Sequence, residues 1–107
     1  MGFRVQRDNR DENAPEIIDA LRLAGYEVFE IHRPCDVLVF DMQRNRLSLL
    51  EIKNPENRTK SGEIASPKKN LRPDQRRLLE LDPRDFAIVW TAEEALAFCG
   101  KARRRRR

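Results

Sequence analysis

Three stretches of the chain repeat their apolar residues at the three- or four-residue spacing of a helix that is buried on one side. The predicted helices are residues 13–24, residues 73–81 and a segment that begins after Thr91. Asp11 or Asn13 can cap the first helix, and Gly25 can end it. The three leucines of the second helix are expected to face the core. In the last helix, Glu94 can complete a capping box with the preceding threonine.

Four other stretches have the short apolar runs that are typical of strands. They are residues 26–31, 36–41, 46–54 and 86–90. A short polar turn separates the second run from the third and predicts a hairpin, whose nearly continuous apolar content predicts a sheet covered on both faces. The first run alternates with charged residues and is expected at a sheet edge. The order αβββαβα therefore predicts an α/β fold, a three-layer-like sandwich with helices flanking a central mixed four-stranded sheet.

A chain of 107 residues, 39% hydrophobic and 37% charged, is large enough for one compact domain. We expect this domain to cover residues 1–100, with residues 1–10 as a flexible arm and residues 101–107 as a basic, disordered tail. No apolar run approaches the roughly 20 residues of a membrane helix, and the N-terminus lacks a signal-peptide core. The sequence therefore predicts a cytoplasmic protein that has no membrane partner.

Glu51 and Lys53 stand two residues apart on a predicted strand, so their side chains emerge from the same face. Asp36 opens the neighbouring strand and can lie beside Glu51. Two close carboxylates repel each other, and the usual relief is a shared proton or a bound cation. Mg²⁺ takes carboxylates, main-chain carbonyls and waters, and the Ile52 carbonyl lies between the two functional side chains. Such a centre suits phosphodiester hydrolysis. Taken alone, however, Glu-Ile-Lys is more often a surface salt bridge without further function.

Three further motifs surround this tripeptide in the sequence. They are Pro34-Cys35-Asp36 with the apolar residues after it, Leu71-Arg72-Pro73-Asp74-Gln75, and Asp11-x-Asn13-x-x-Glu16-Ile17-Ile18 on the first helix. Together with Glu-Ile-Lys they resemble the PD-(D/E)XK nuclease superfamily, most closely the minimal VRR-NUC-type and Holliday-junction-resolvase-like nucleases of phages. The resemblance covers about residues 8–98. The sequence departs from the pattern at Cys35, which separates the proline from the acid.

The resemblance implies that Lys53 is the catalytic lysine and that Gln75 lies against the active site. It implies that Mg²⁺ or Mn²⁺ is held by Asp36, Glu51, the Ile52 carbonyl and Glu16. From the residues alone, Glu16 is more often a first-turn charge that complements the helix dipole. Cys35 is more often a buried small residue than a ligand.

Positive charge is concentrated in residues 53–77 and 101–107, whereas the rest of the chain is net acidic. Around the predicted metal we expect these phosphate contacts: Arg58, Lys60, Lys68, Lys69, Arg72, Arg76 and Arg77. Contacts of this kind position a nucleic-acid backbone and carry little sequence information. Selectivity for DNA structure is therefore expected rather than for sequence.

These features predict a metal-dependent DNA endonuclease that acts on branched, junction or duplex DNA. A homodimer would suit a two-fold symmetric junction, and a phage-encoded member would work in the cytoplasm of its bacterial host. Two alternatives stay open: a catalytically silent nucleic-acid-binding or regulatory protein with the same fold, and a nuclease that acts on RNA.

Overall fold

The computed structural model of the protein describes residues 13–64 and 70–101. In chain order its elements are helix α1 (Ala14–Leu23), strands β1 (Glu27–Glu30), β2 (Val37–Asp41) and β3 (Arg46–Ile52), a 3-10 turn (Pro55–Asn57), helix α2 (Pro73–Leu81), strand β4 (Phe86–Val89) and helix α3 (Ala92–Gly100). The predicted order αβββαβα is confirmed over these residues. The predicted arm at residues 1–10 and the predicted tail beyond Lys101 lie outside the described residues.

The four strands form one mixed sheet in the order β1-β2-β3-β4. β1, β2 and β3 pair antiparallel, and β3 pairs parallel with β4. The β2–β3 hairpin turns through Asp41, whose Oδ1 accepts hydrogen bonds from the main-chain N–H groups of Gln43 and Arg44. The predicted α/β class, the hairpin and the edge position of β1 are therefore confirmed. No helix in the described part of the chain is long and apolar enough to cross a membrane.

Helices α1 and α3 cover one face of the sheet. The core beneath them draws buried side chains from both helices and all four strands: Ile17, Leu21, Val28, Val39, Leu50, Val89, Ala95 and Cys99. α1 ends where Gly25 takes a φ of 101°, in the left-handed region that a glycine adopts without strain. α3 begins at the predicted capping box, in which Thr91 Oγ1 accepts from the Glu94 N–H.

The opposite face of the sheet is covered only in part. α2 packs beside β4, where Phe86 is buried, but Phe29 on β1 and Leu47 on β3 are exposed. The prediction that both faces are covered is therefore right only near β4. The prediction that all three leucines of α2 face inward is wrong for Leu81, which is 59% exposed. The buried side chain of α2 is instead Gln75, because the helix packs through its first turn.

Candidate active site

Asp36 and Glu51 both lie at the open end of the β2–β3 hairpin. The last paired residues of the ladder are Val37 and Leu50, and the Asp36 N–H donates a 3.1 Å hydrogen bond to the Leu50 carbonyl. Because Leu50 and Ile52 belong to the core under α1 and α3, Glu51 lies on the other face of β3, and Asp36 is near enough for its charge to raise the pKa of Glu51. The structure thus brings together the two acids that the sequence places on neighbouring strands.

The Asp36 carboxylate is held by the main chain of Ile52. Its Oδ2 accepts a 2.7 Å hydrogen bond from the Ile52 N–H, which fixes the carboxylate against the end of β3. The N–H and the carbonyl of one strand residue point towards the same neighbouring strand. The Ile52 carbonyl therefore faces the side of β3 on which Asp36 lies. This direction is required if the carbonyl and the Asp36 carboxylate are to bind the same cation.

Glu51 is a carboxylate in a buried position and is only 4% exposed. Its Oε2 lies 3.3 Å from Lys53 Nζ, whereas its Oε1 is buried without a hydrogen-bond partner among the described residues. Burial, and then the charge of Asp36, raise the pKa of Glu51 from 4.5 to about 7, although Lys53 and Arg72 act in the opposite direction. The neighbouring cations therefore compensate this carboxylate only in part.

The donor set at this position fits a hard divalent cation. An unpartnered carboxylate oxygen, a second carboxylate and a main-chain carbonyl are ligand types that Mg²⁺ takes, and proteins often supply it with only one or two carboxylates. Within residues 13–64 and 70–101, no three His, Cys, Asp or Glu side chains form a group that could hold a metal. Glu16 is exposed in the first turn of α1, so its role as a further ligand stays a prediction.

The loop that carries Asp36 is anchored by the start of α2. Gln75 is 1% exposed, and its Nε2 donates a 3.0 Å hydrogen bond to the Pro34 carbonyl. The guanidinium of Arg72 donates to the same carbonyl at 3.0 Å. Gln75 Oε1 also accepts from the Arg72 N–H at 3.1 Å, which closes the first turn of the helix. Gln75 therefore lies beside the loop that carries Asp36 and holds it through the Pro34 carbonyl, whereas its role at an active site stays a prediction.

Cys35 is fully buried between Pro34 and Asp36. Its Sγ donates to the Val37 carbonyl over 3.6 Å. Burial, followed by the charges of Glu51 and Asp36, raises the pKa of this thiol to about 12. Cys35 is thus the small, buried and uncharged residue that the sequence predicts, because a thiolate beside two carboxylates would be strongly disfavoured.

The main chain of Lys53 is held by a residue to which the sequence assigns another role. Asn13 precedes α1, but its side chain makes no cap hydrogen bond. Its Nδ2 instead donates to the carbonyls of Lys53 and Trp90, at 3.1 and 2.7 Å. The Lys53 N–H donates to the Val89 carbonyl at 3.0 Å. A polar residue before a helix is typical of a cap, so the local sequence carries no signal for this bridge.

Several predicted phosphate contacts already have partners within the protein. Arg72 and Arg76 donate to main-chain carbonyls, Arg77 forms an exposed ion pair within α2, and Arg58 stacks on a tryptophan and pairs with a glutamate. Lys60 is exposed in the loop after the 3-10 turn. The remaining two, Lys68 and Lys69, lie outside the described residues. Contact with a nucleic acid stays a prediction for the whole set.

Comparison with known proteins adds no assignment to this site. A scan against protein-family models, a search of curated proteins and a search of solved structures each found no match. Membership of the PD-(D/E)XK superfamily therefore stays a prediction, which rests on the sequence motifs.

Proposed function

We propose that this protein is a metal-dependent nuclease that hydrolyses phosphodiester bonds in DNA. The observation that carries the proposal is the buried Oε1 of Glu51, which has no hydrogen-bond partner among the described residues. A buried carboxylate that served only the fold would be expected to have both oxygens satisfied, because a buried oxygen without a hydrogen bond is costly. A ligand that completes the site accounts for this arrangement.

In this proposal Asp36, Glu51 and the Ile52 carbonyl hold Mg²⁺ or Mn²⁺. Such a cation would make a water molecule more acidic and offset the charge that develops on the phosphate. Lys53 holds its ammonium 3.3 Å from Glu51 and is 18% exposed, so a substrate can reach it. From this position Lys53 can orient the attacking water, accept its proton or stabilise negative charge in the transition state.

We infer that the substrate is branched or junction DNA, bound chiefly through its phosphates. The inference is supported by the concentration of basic residues between 53 and 77, directly after the candidate site in the sequence. Side chains that contact phosphates position the backbone without reading bases, which favours recognition by shape. A homodimer would suit a two-fold symmetric junction. We place this activity in the cytoplasm, which would be that of the bacterial host if the protein is encoded by a phage.

A catalytically silent nucleic-acid-binding protein with the same fold is a second candidate. It is favoured by the ion pair between Lys53 and Glu51, because this lysine compensates part of the buried charge without any cation. The two candidates differ in whether a divalent cation binds at Glu51 and whether the bound strand is cut.

The test incubates the protein with labelled four-way junction, flap, duplex and single-stranded DNA, and with single-stranded RNA, in Mg²⁺, Mn²⁺ or EDTA. Glu51→Gln and Lys53→Met are compared with Glu93→Gln, which changes an exposed acid on α3. We expect cleavage of a DNA substrate that EDTA abolishes and that either site variant lowers by at least about a hundredfold. Binding without cleavage would favour the silent protein, and cleavage of RNA alone would overturn the choice of DNA.

A further inference from the structure

The chain that leaves the active site forms a small ordered arm. After Lys53 and the 3-10 turn, residues 58–64 fold back on themselves, and Arg58 pairs with Ile64 in an isolated antiparallel β-bridge. Two hydrogen bonds close the turn: the Thr59 N–H donates to the Glu63 carbonyl at 2.8 Å, and the Gly62 N–H donates to the Thr59 carbonyl at 3.0 Å. These residues, named here the 58–64 arm, carry the exposed Lys60 within their turn.

Arg58 fastens this arm to α3. Its guanidinium lies 4.2 Å from the centroid of the Trp90 ring and pairs with the Glu94 carboxylate. Its Nε donates to the Gly62 carbonyl at 3.2 Å, so the same side chain also holds the arm together. Arginine suits this position because its planar group can stack on a ring and donate several fixed hydrogen bonds at once.

The two residues that hold Arg58, Trp90 and Glu94, are themselves held by hydrogen bonds. Glu94 Oε1 accepts hydrogen bonds from the main-chain N–H groups of Trp90 and Thr91, at 2.9 and 3.2 Å. The Trp90 carbonyl in turn shares the Asn13 side chain with the Lys53 carbonyl. The residues that hold Arg58 are thus linked by hydrogen bonds to the main chain of Lys53 in the candidate active site.

We propose that Arg58 is a positioning residue: it holds the 58–64 arm so that Lys60 contacts a phosphate of the nucleic acid near the active site. This inference rests on the proposed function and revises one part of it, since Arg58 was expected to contact phosphate itself. Arg58 already has a ring, a carboxylate and a carbonyl as partners. Lys60 is exposed and brings a positive charge to the turn of the arm.

The first test measures the arm without any substrate. Arg58→Lys keeps the charge but loses the planar group, and Arg44→Lys is the matched control, because Arg44 also pairs with a carboxylate but lies in the hairpin turn at the other end of β3. Trp90 is the only tryptophan of the sequence, so its fluorescence reports on the stacked guanidinium. We expect Arg58→Lys alone to increase quenching of Trp90 by acrylamide and to speed amide hydrogen exchange in the arm. Unchanged exchange in the arm would overturn the proposal.

The second test measures binding of a labelled DNA junction in Ca²⁺, over a range of salt concentrations. Loss of one phosphate contact lowers the slope of log affinity against log salt by about one. We expect Lys60→Ala and Arg58→Lys each to lower the slope by this amount and the double variant to lower it no further. Because Arg58→Lys conserves charge, its effect would come from the displaced Lys60.

The outcomes separate this inference from the proposed function. An unchanged slope for Arg58→Lys, or additive losses in the double variant, would overturn the positioning role and leave the nuclease proposal untouched. Tight binding with these slopes but no cleavage in Mg²⁺ or Mn²⁺ would overturn the nuclease proposal and support the role of Arg58. A wild-type protein that binds none of the nucleic acids would overturn both.

Discussion

The ammonium of Lys53 lies 3.3 Å from one carboxylate oxygen of Glu51 and leaves the other oxygen, which is buried, without a partner in the described residues. An ion pair formed for stability alone would be expected to satisfy both oxygens, because a desolvated lone pair costs free energy. The Glu51 carboxylate also lies close enough to Asp36 for the charge of that residue to raise its pKa. The pair is therefore better explained as part of a binding site than as a stabilising salt bridge.

A divalent cation is expected to stabilise the folded protein through Glu51. With Mg²⁺ or Mn²⁺ at about one hundred times its dissociation constant, linkage adds roughly 3 kcal/mol to the free energy of unfolding. For a domain of this size, each kcal/mol raises the melting temperature by about 4–8 °C. The measurement is a thermal melt in the cation and in EDTA, for the wild type and Glu51→Gln.

Glu51→Gln should lose the cation-dependent rise, because the amide keeps the shape of the side chain but no longer carries the negative charge that holds the cation. Glu93→Gln, at an exposed position, serves as the control and should respond to the cation as the wild type does. An equal rise in all three proteins would place the cation elsewhere.

Stability in the absence of metal should fall as the pH rises. The folded state holds the Glu51 proton up to about pH 7, whereas the unfolded state releases it near 4.5. Between these values the folded state binds more protons, so a rising pH lowers the free energy of unfolding. Each pKa unit corresponds to about 1.4 kcal/mol, so the loss attributable to Glu51 is about 3 kcal/mol.

Urea unfolding in EDTA at pH 4 and pH 8 measures this loss as the difference between the wild type and Glu51→Gln. Groups that do not interact with Glu51 titrate equally in both proteins and cancel, so the difference reports Glu51 together with the groups coupled to it. Parallel pH dependence in the two proteins would show that Glu51 ionises in the folded state as it does in the unfolded chain.

Sequence periodicity predicted the parts of the site that depend on strand geometry. Glu51 and Lys53 share a face because they stand two residues apart, and a short turn fixes the register of the hairpin up to the Val37–Leu50 pair, next to which Asp36 lies. The capping box of Thr91 and Glu94 was equally predictable, since it requires only a local spacing. Each of these relationships lies within one strand, one hairpin or one helix turn.

The relationships that were not predicted join residues far apart in the sequence. Asn13 bridges the carbonyls of Lys53 and Trp90, and Arg58 stacks on Trp90. These contacts follow from the parallel pairing of β3 with β4, which brings Lys53 and Trp90 together. The prediction that Leu81 faces the core was wrong for a related reason. Apolar spacing does not show that α2 packs through its first turn. From the sequence, Asn13 was expected to cap a helix and Arg58 to contact phosphate, which are common roles for these residue types. In the structure, tertiary contacts make Asn13 a bridge between two carbonyls and stack Arg58 on Trp90.

Gln75 is expected to stabilise the loop of Asp36 through hydrogen bonds rather than through packing. Gln75→Met keeps the size and removes the donor to Pro34 and the acceptor from Arg72. The Pro34 carbonyl keeps its bond from Arg72, but the Arg72 N–H loses its acceptor, and because this side chain is 1% exposed we expect a cost of about 1–3 kcal/mol in the free energy of unfolding. Gln43→Met, an exposed change in the hairpin turn, is the control and should unfold in urea within about 0.5 kcal/mol of the wild type.

Asn13 is expected to stabilise the protein as a bridge and not as a helix cap, and serine distinguishes the two roles. Asn13→Ala removes both hydrogen bonds, to Lys53 and to Trp90, at a cost of about 1–2 kcal/mol. Asn13→Ser should cost as much, since a serine hydroxyl can cap a helix but is too short to replace the bridging amide. At Thr91, which does cap α3, the pattern should differ: Thr91→Ala should cost about 1 kcal/mol and Thr91→Ser much less. Urea unfolding of the four variants gives these values, and a wild-type stability of Asn13→Ser beside a destabilised Asn13→Ala would show that Asn13 acts as a cap.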